Sequence, residues 1–402
     1  MASGSIKPNQ SIQRVIEVIR AHGEVSRRLI ASETGLSTPS VTRLVNELID
    51  GKILAVHEST TAEGAGPGRP ASVVKLNPNC GYVVGVDVGE HVIRVALSDM
   101  NGQIQTRSKL STEAEAGGDT TCAKVVEGID EVCARYRSAF ENSEAPPLRA
   151  VTIGVPGTVD PYSSRVVKAP MINGWSDFDL KGRLEGKIPK VGLRVENDIN
   201  SAAIGEYAFG VAHGCDSFVF TSIRRGIGAG IFIDGQLYRG SAGFAGEMGK
   251  MAFDSSFEFS AADGTGHLES LCGEDPVIQK ANDQGVVLEP GESGIPTMES
   301  IAKAAAAGSP QAKSILDSIL EQYGLAIANV ASLLDPAMIV VGGSIHPVMD
   351  SAVKQLSNSI AKLIPSPPQI VGSSLGEEAV LKGAVYQAHK DACDGLLTTE
   401  ST

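Results

Sequence analysis

The feature that most constrains the fold is a β-rich plan that occurs twice along the 402 residues of the chain. From Tyr82, the segments YVVGVDVG, HVIRVALSDMNG and QIQTRSKL predict three strands joined by two tight turns. The same plan returns in SFVFTSIRRG, IGAGIFIDG and QLYRG. Two copies of a three-stranded meander predict a duplicated α/β fold with two lobes and a cleft between them. Tight polar turns of this kind present backbone N–H groups that suit a ligand phosphate.

Residues 1–77 have a helical pattern instead. An apolar stripe with the spacing of one helix face ends near Gly23, and Ser26 and Gly35 are typical of the start and end of a second helix. Ser37 is the expected N-cap of a third helix, and the short glycine-containing turn before it is typical of a helix-turn-helix. The two apolar faces are Ile12, Val15, Ile16 and Ile19 on the first helix and Val41, Leu44, Val45 and Leu48 on the third.

The third helix turns small polar residues and one arginine away from its apolar face. Such a face suits the DNA major groove, where arginine reads guanine, although any three-helix bundle has one polar face. The β-prone stretches 53–58 and 72–76 predict a hairpin wing, which makes the module a winged helix. The wing tip GPGRP presents Arg69 on a backbone narrow enough for a minor groove, or is a plain Gly/Pro linker. The predicted DNA-binding residues are Thr38, Ser40, Thr42, Arg43, Asn46 and Arg69.

The net charge of −13 is divided unevenly along the chain. Residues 1–75 carry nine basic and seven acidic side chains, a net charge of +2, and the remainder carries 25 and 40, a net charge of −15. This asymmetry is expected where only a small head meets a polyanion.

Two further properties limit the class of protein. No stretch approaches the roughly 18 consecutive apolar residues of a membrane helix. The segment MASGSIKPNQ lacks the apolar core of a signal peptide, so we expect a cytoplasmic protein with no membrane contact. The six cysteines form no CxxC pair, which argues against a disulfide framework or a zinc ribbon.

The body resembles the ROK family, which contains sugar kinases and sugar-responsive repressors. Over roughly residues 82–390, six motifs occur in the family's order and approximate spacing: DVGEHVIRVALSDMNG, IGVPGTVD, VENDINSAAIGE, RRGIGAGIFIDGQLYRGSAGFAGEMGK, LDPAMIVVGGSI and LGEEAVLKGAVYQA. The resemblance implies an actin-like (RNase H-like) body with two lobes and the ligand cleft between them. Members with an N-terminal winged helix resemble transcriptional regulators.

The domain boundaries follow from these two patterns. We predict a winged helix-turn-helix over residues 1–77 and a ROK body over residues 78–402. Lobe one is expected at about 78–200 together with a C-terminal helix at about 376–392, and lobe two at about 201–375.

The resemblance also implies the sugar-binding residues. Asp198 matches the family's general base, which takes a proton from a sugar hydroxyl, and Asn197 matches the neighbouring donor. On the residues alone, this pair could equally cap the following helix. Glu247 and Glu269 match the family's two acceptors of sugar hydroxyls. Met171 stands where the family has a sugar-binding Asn, so Asn173 is either its replacement or a turn residue.

The zinc site of the family is expected to be missing. In the family, one His and three Cys hold zinc in the loop before the second sugar-binding Glu, which follows the His by nineteen positions. Lys250 stands nineteen positions before Glu269, so the segments align without a gap. An ammonium, a hydroxyl and a methyl group cannot build a zinc site, and we predict no metal and no other cofactor. Lys250 is instead a candidate donor to a sugar hydroxyl or an acidic effector. The four ligand positions are Lys250, Ser260, Ala262 and His267.

The two phosphate turns are altered as well. Glu90 and His91 stand in the first turn, where a carboxylate opposes ATP oxygens. In the second turn, Arg224 and Arg225 replace a Gly-Thr pair and block close backbone approach, although guanidiniums can bind phosphate. Alternatively, Glu90 pairs with one of these arginines and closes an unused nucleotide cleft.

These features together predict a DNA-binding transcriptional regulator, a repressor, that senses a carbohydrate or sugar phosphate without phosphorylating it. The expected partners are operator DNA and that effector. A homodimer or homotetramer is expected because helix-turn-helix proteins read paired half-sites. The alternative is an active or bifunctional ATP-dependent sugar kinase.

Overall fold

The computed structural model describes residues 8–59, 71–112, 117–140, 145–169, 172–254, 265–291 and 294–398. Within these ranges, no helix is long and apolar enough to cross a membrane. The helices are α1 (Pro8–His22), α2 (Arg27–Thr34), α3 (Thr38–Asp50), α4 (Gly118–Ser138), α5 (Leu180–Leu184), α6 (Asp198–Phe209), α7 (His267–Cys272), α8 (Glu274–Asp283), α9 (Met298–Ala306), α10 (Pro310–Leu334), α11 (Met349–Ile360) and α12 (Ala379–Thr398).

Sixteen strands are described together with these helices. They are β1 (Val25–Ser26), β2 (Leu54–Ser59), β3 (Ala71–Leu76), β4 (Tyr82–Val88), β5 (Val92–Asp99), β6 (Ile104–Ser111), β7 (Leu148–Val155), β8 (Thr158–Val159), β9 (Val166–Lys168), β10 (Ser176–Phe178), β11 (Gly192–Asn197), β12 (Phe218–Ile223), β13 (Ile227–Ile233), β14 (Gln236–Tyr238), β15 (Met338–Gly343) and β16 (Gln369–Gly372).

The head is a winged helix, and its helix ends follow the capping residues. The Ser26 hydroxyl accepts the Leu29 N–H at 3.2 Å at the start of α2, and Gly35 ends that helix in the left-handed region at φ 69°. Ser37 accepts the Ser40 N–H at the start of α3. The apolar face of α3 is buried, and β1, β3 and β2 form a three-stranded antiparallel sheet beside the helices. The predicted helices and wing strands are confirmed.

The body contains two five-stranded sheets of the same topology. Lobe one has the order β11-β7-β4-β5-β6, and lobe two has the order β14-β13-β12-β15-β16. In each sheet a three-stranded antiparallel meander is extended by two parallel strands. The predicted duplication is therefore confirmed. A small third sheet of β8, β9 and β10 follows β7.

Two helices cross between the lobes with almost no space between their backbones. A Cβ atom added to Gly383 of α12 would lie 1.7 Å from the Ser201 carbonyl oxygen of α6. A Cβ added to Gly205 of α6 would lie 2.3 Å from the Ala379 carbonyl oxygen. Because glycine has no side chain at either position, α6 and α12 pack backbone to backbone. α12 also packs against β4 and β7 of lobe one.

The head and the body share one apolar cluster. It contains Val15 and Ile19 of α1 together with Leu381 and Val385 of α12. The Arg20 guanidinium of α1 also lies 4.0 Å from the centre of the Tyr386 ring of α12. The domain boundary between residues 77 and 78 stays a prediction, and the apolar core of the head is continuous with residues of α12 in the body.

Candidate ligand-binding cleft

A cavity opens between the lobes at the amino end of α6. Its volume is about 30 Å³. Two backbone segments that line the cavity approach each other closely at Gly246. A Cβ atom added there would lie 1.8 Å from the Ala229 carbonyl oxygen of β13. The lining residues are Thr158, Asn197, Ile199, Asn200, Gly228, Ala229, Gly243, Ala245, Gly246 and Glu247.

Glu247 presents a carboxylate to this cavity from lobe two. Its Oε1 accepts a hydrogen bond from the Thr158 hydroxyl of lobe one at 3.1 Å. Burial raises the pKa of Glu247, while the Thr158 hydrogen bond and the Lys250 ammonium lower it. Thr158 was not identified from the sequence, although it lies in the IGVPGTVD motif.

Asn197 is the N-cap of α6. Its Oδ1 accepts the Asn200 N–H at 2.9 Å, and its Nδ2 donates to the Gly157 carbonyl at 2.7 Å and to Asp198 Oδ1 at 3.2 Å. The capping alternative is therefore confirmed for Asn197. The side chain positions the α6 terminus and the neighbouring carboxylate, and it lines the cavity while doing so.

Asp198 lies in a cluster of mixed charge. Burial raises the pKa of Asp198 to about 6; the Arg224 guanidinium lowers it and the Asp87 carboxylate raises it. Asp87 is itself buried, which raises its pKa, and it lies 3.5 Å from the Arg94 guanidinium. Asp87 and Arg94 were not identified as site residues from the sequence, although Asp87 belongs to the DVG turn.

A second ion pair joins β11 to the segment between β14 and Glu247. Glu196 is 5% exposed and accepts from Arg239 Nε at 3.0 Å and from Arg239 Nη2 at 2.5 Å. Asn200 Nδ2 donates to the other oxygen of Glu196 at 3.1 Å. Sequence reasoning did not find this pair, because only the fold brings β11 next to the segment after β14.

The two altered phosphate turns face each other across the cleft. Arg225 of lobe two donates to Glu90 of lobe one, and its Nη2 lies 3.5 Å from Asp275 Oδ2. The His91 ring lies 3.9 Å from Glu90. The predicted pairing of Glu90 with an arginine is confirmed. The Arg225 guanidinium is thereby shared between two carboxylates.

The segment after Glu247 carries Lys250, which forms an ion pair with Glu269. Lys250 Nζ donates to Glu269 Oε2 at 2.9 Å. His267 Nδ1 accepts the Phe253 N–H at 3.1 Å. Ser260 and Ala262 lie outside the described residues.

The remaining predicted residues that the structure describes do not line the cavity. Asn173 is exposed in a turn beside Gly174, whose φ is 79°, and it does not line the described cavity. Arg43 and Asn46 are exposed on α3, where Arg43 pairs with Glu47 at 2.8 Å and Asn46 accepts from Arg27 at 3.2 Å. Thr38 is exposed, Ser40 and Thr42 are half-buried, and Arg69 lies outside the described residues.

Comparison with known proteins identifies the family. The sequence model of the ROK family matches residues 83–391. The chain belongs to the ROK family. The xylose repressor of Bacillus subtilis is 28% identical over 385 residues, which cover 94% of this chain and 94% of that repressor.

Two solved ROK structures are also similar. A ROK family transcriptional regulator, described as a homolog of the E. coli MLC protein, has a TM-score of 0.80 at 25% identity and covers 98% of both chains. A ROK family glucokinase from Streptomyces griseus, in complex with glucose and AMPPNP, has a TM-score of 0.62 at 28% identity. That match covers 77% of this chain and 100% of the glucokinase.

The donor set of this ROK member does not fit the family's zinc. The ammonium of Lys250 has no lone pair for a metal and is held by Glu269, and the His267 Nδ1 lone pair receives a backbone N–H. Within the described parts of the chain, no group of three or more His, Cys, Asp or Glu could hold a metal ion. That the protein contains no zinc stays a prediction.

Proposed function

We propose that this ROK protein is a DNA-binding transcriptional repressor that binds a sugar in the cleft without phosphorylating it. The ion pair between Glu90 and Arg225 carries the proposal, because it occupies the phosphate turns. Phosphoryl transfer needs the γ-phosphate held in line and its charge neutralised, and an added carboxylate opposes both. Sugar binding needs only oriented acceptors, for which Asp198, Glu247 and Glu269 are suited.

Two proteins that are similar over almost the whole chain support the DNA-binding part of the proposal. The Bacillus subtilis xylose repressor and the solved ROK transcriptional regulator match head and body together. In the proposed complex α3 enters the major groove, with Thr38, Ser40, Thr42, Arg43 and Asn46 toward the bases, and Arg69 reaches a minor groove. The repressor acts where operator DNA lies, in the cytoplasm, as a homodimer or homotetramer that reads paired half-sites.

Replacement of Arg43 by Ala tests the DNA interface. Its exposed pair with Glu47 contributes only about 0.3–0.5 kcal/mol to stability, so the fold should persist. Operator affinity should fall by about 1–3 kcal/mol, measured by fluorescence anisotropy on operator fragments that the full chain selects. Arg135→Ala, which removes an i,i+4 pair with Glu131 on α4 of the body, is the matched control. Full operator affinity in both Arg43→Ala and Arg69→Ala would contradict the interface.

The effector class follows from the charges around the cleft. A sugar phosphate would add negative charge beside Glu90, where Arg225 is already shared with Asp275. An uncharged sugar avoids this repulsion. A thermal-shift screen should therefore detect a neutral monosaccharide such as D-xylose or D-glucose in preference to glucose 6-phosphate. Ligand at 100 times its Kd stabilises the protein by about 2.7 kcal/mol.

The alternative function is sugar phosphorylation, which the similarity to the Streptomyces griseus glucokinase favours. With ATP, magnesium and the sugar found in the screen, a coupled assay should stay at background. Calorimetry should meanwhile show that Asp198→Asn and Glu269→Gln weaken sugar binding, and the sugar should change operator affinity. Product formation at about 1–100 per second that vanishes in Asp198→Asn would establish the kinase or bifunctional alternative instead.

A further inference from the structure

Glu269 is held by two donors that reach the same carboxylate oxygen. It lies in the first turn of α7, where its Oε2 accepts the Gly266 N–H at 2.9 Å. Lys250 Nζ donates to the same Oε2 at 2.9 Å. Because both described hydrogen bonds to this carboxylate end on Oε2, Oε1 is the oxygen that can accept a hydrogen bond from a ligand hydroxyl.

The Gly249 backbone, in the turn before Lys250, lies against the same Glu269 side chain. A Cβ atom added to Gly249 would lie 2.5 Å from Glu269 Cγ and 2.6 Å from Glu269 Oε1. The carboxylate therefore lies directly over the Gly249 backbone. The Leu268 N–H also donates to the Met251 carbonyl at 3.2 Å, which ties α7 to this turn.

The Lys250 ammonium also lies close to the second acidic side chain of the cleft. Glu247 is three positions before Lys250, and its pKa is lowered by the Lys250 charge and raised by the Glu269 charge. The Glu269 carboxylate therefore repels the Glu247 carboxylate in this partly buried site, and the Lys250 ammonium offsets part of that repulsion.

We infer that Lys250 is a positioning residue that fixes Glu269 for sugar binding through its ion pair with Oε2. A lysine ammonium here joins α7 to the Glu247 turn. Lys250 acts through Glu269 and not on the sugar itself. The inference rests on the proposed function, because it takes the ligand of Oε1 to be a sugar hydroxyl.

The test combines single and double substitutions in the full chain. Calorimetry with D-xylose and with D-glucose, titrated separately, is carried out on Lys250→Met, Lys250→Arg, Glu269→Gln and the Lys250→Met/Glu269→Gln pair. Lys250→Met should weaken binding about tenfold or more, since a charge-assisted hydrogen bond is lost. Lys250→Arg keeps the positive charge and should retain most of the affinity. The double variant should bind no more weakly than Glu269→Gln alone, because Lys250 acts through that carboxylate.

Lys313→Met is the control, since it removes another lysine pair, with Asp317 at 2.6 Å on α10, and should leave sugar binding unchanged. Wild-type affinity in Lys250→Met, or losses that multiply in the double variant, would overturn the inference and leave the proposed function standing.

Failure of the wild-type protein to bind either sugar would contradict the proposed function, and with it the role of Oε1. Melting curves of the unliganded variants then test separately whether Lys250 and Glu269 form a stabilising ion pair. If the double variant loses less melting temperature than the sum of the two single variants, Lys250 and Glu269 are coupled. If the losses add, the coupling is refuted.

Discussion

Asp198 carries a charge that destabilises the unliganded fold. Burial raises the pKa of its carboxyl from 3.8 to about 6. Between these values the folded state keeps a proton that the unfolded chain has released, so the free energy of unfolding falls as pH rises through that window. Above about pH 6 the penalty is complete. A charged acceptor held at the cleft is thus retained against stability, which is common at ligand sites.

Asp198→Asn should therefore stabilise the unliganded protein while weakening sugar binding. At about pH 8 the gain in unfolding free energy should be roughly 1–3 kcal/mol, and it should shrink toward zero near pH 4. Loss of a favourable charge in the first turn of α6 offsets part of this gain. Urea denaturation at several pH values measures the gain in unfolding free energy and its dependence on pH. A variant with the same stability difference at every pH would show that Asp198 titrates normally.

At the residue scale, sequence reasoning succeeded where a motif places chemistry directly. The acidic residue in the first phosphate turn and the arginines in the second predicted the Glu90 and Arg225 pair. The Glu196 and Arg239 pair was not predictable, since its members are separated by 43 positions and meet only in the folded cleft.

At the scale of elements, local signals fixed the helix ends but not the helix contacts. Ser26 and Gly35 predicted both ends of α2 and Ser37 predicted the start of α3, because capping depends on neighbours in sequence. The crossing of α6 and α12 at Gly205 and Gly383 depends on residues far apart in the chain. Glycines in helices carry no signal that distinguishes such a contact from an ordinary weak helix position.

Gly383→Ala should destabilise the protein, although Ala favours helix over Gly by about 1 kcal/mol. The new Cβ would meet the Ser201 backbone at 1.7 Å, and two packed helices cannot yield to it as a flexible side chain would. We expect a net loss of about 1–3 kcal/mol in urea denaturation. Gly395→Ala on the same helix is the matched control, because its Cβ would meet nothing within 4 Å and should be neutral or stabilising. Equal effects of the two substitutions would contradict the tight crossing.

At the scale of the whole molecule, the duplicated sheets were predictable and the junction of head and body was not. Repeated strand and turn patterns leave a mark on the sequence, and both sheets have the same strand order. The contact between Arg20 and Tyr386 joins the two ends of the chain, and no spacing or composition indicates it.

This junction connects the cleft to the head through two helices. α6 begins at Asp198 in the cleft and crosses α12 at Gly383. Three positions further along α12, Tyr386 contacts Arg20 of α1. A ligand that shifts the amino end of α6 therefore acts on the backbone contact between α6 and α12, and α12 reaches the head through the side-chain contact of Tyr386 with Arg20.

Tyr386→Ala should uncouple the two ends while leaving each able to bind. Tyr386 is half-buried and also packs edge-to-face on Phe209, so Tyr386→Ala should cost more stability than the about 0.5–1 kcal/mol of an exposed cation–ring pair, and binding is compared well below the melting temperature of the variant. Sugar affinity of the free protein and operator affinity without sugar should stay close to wild type. The change in operator affinity on adding sugar, typically about 5–150-fold for coupled sites, should fall toward none. Tyr386→Phe retains the ring and should preserve the response. Anisotropy titrations of operator DNA with and without sugar measure this difference, and an unchanged sugar response in Tyr386→Ala would show that the signal reaches the head by another route.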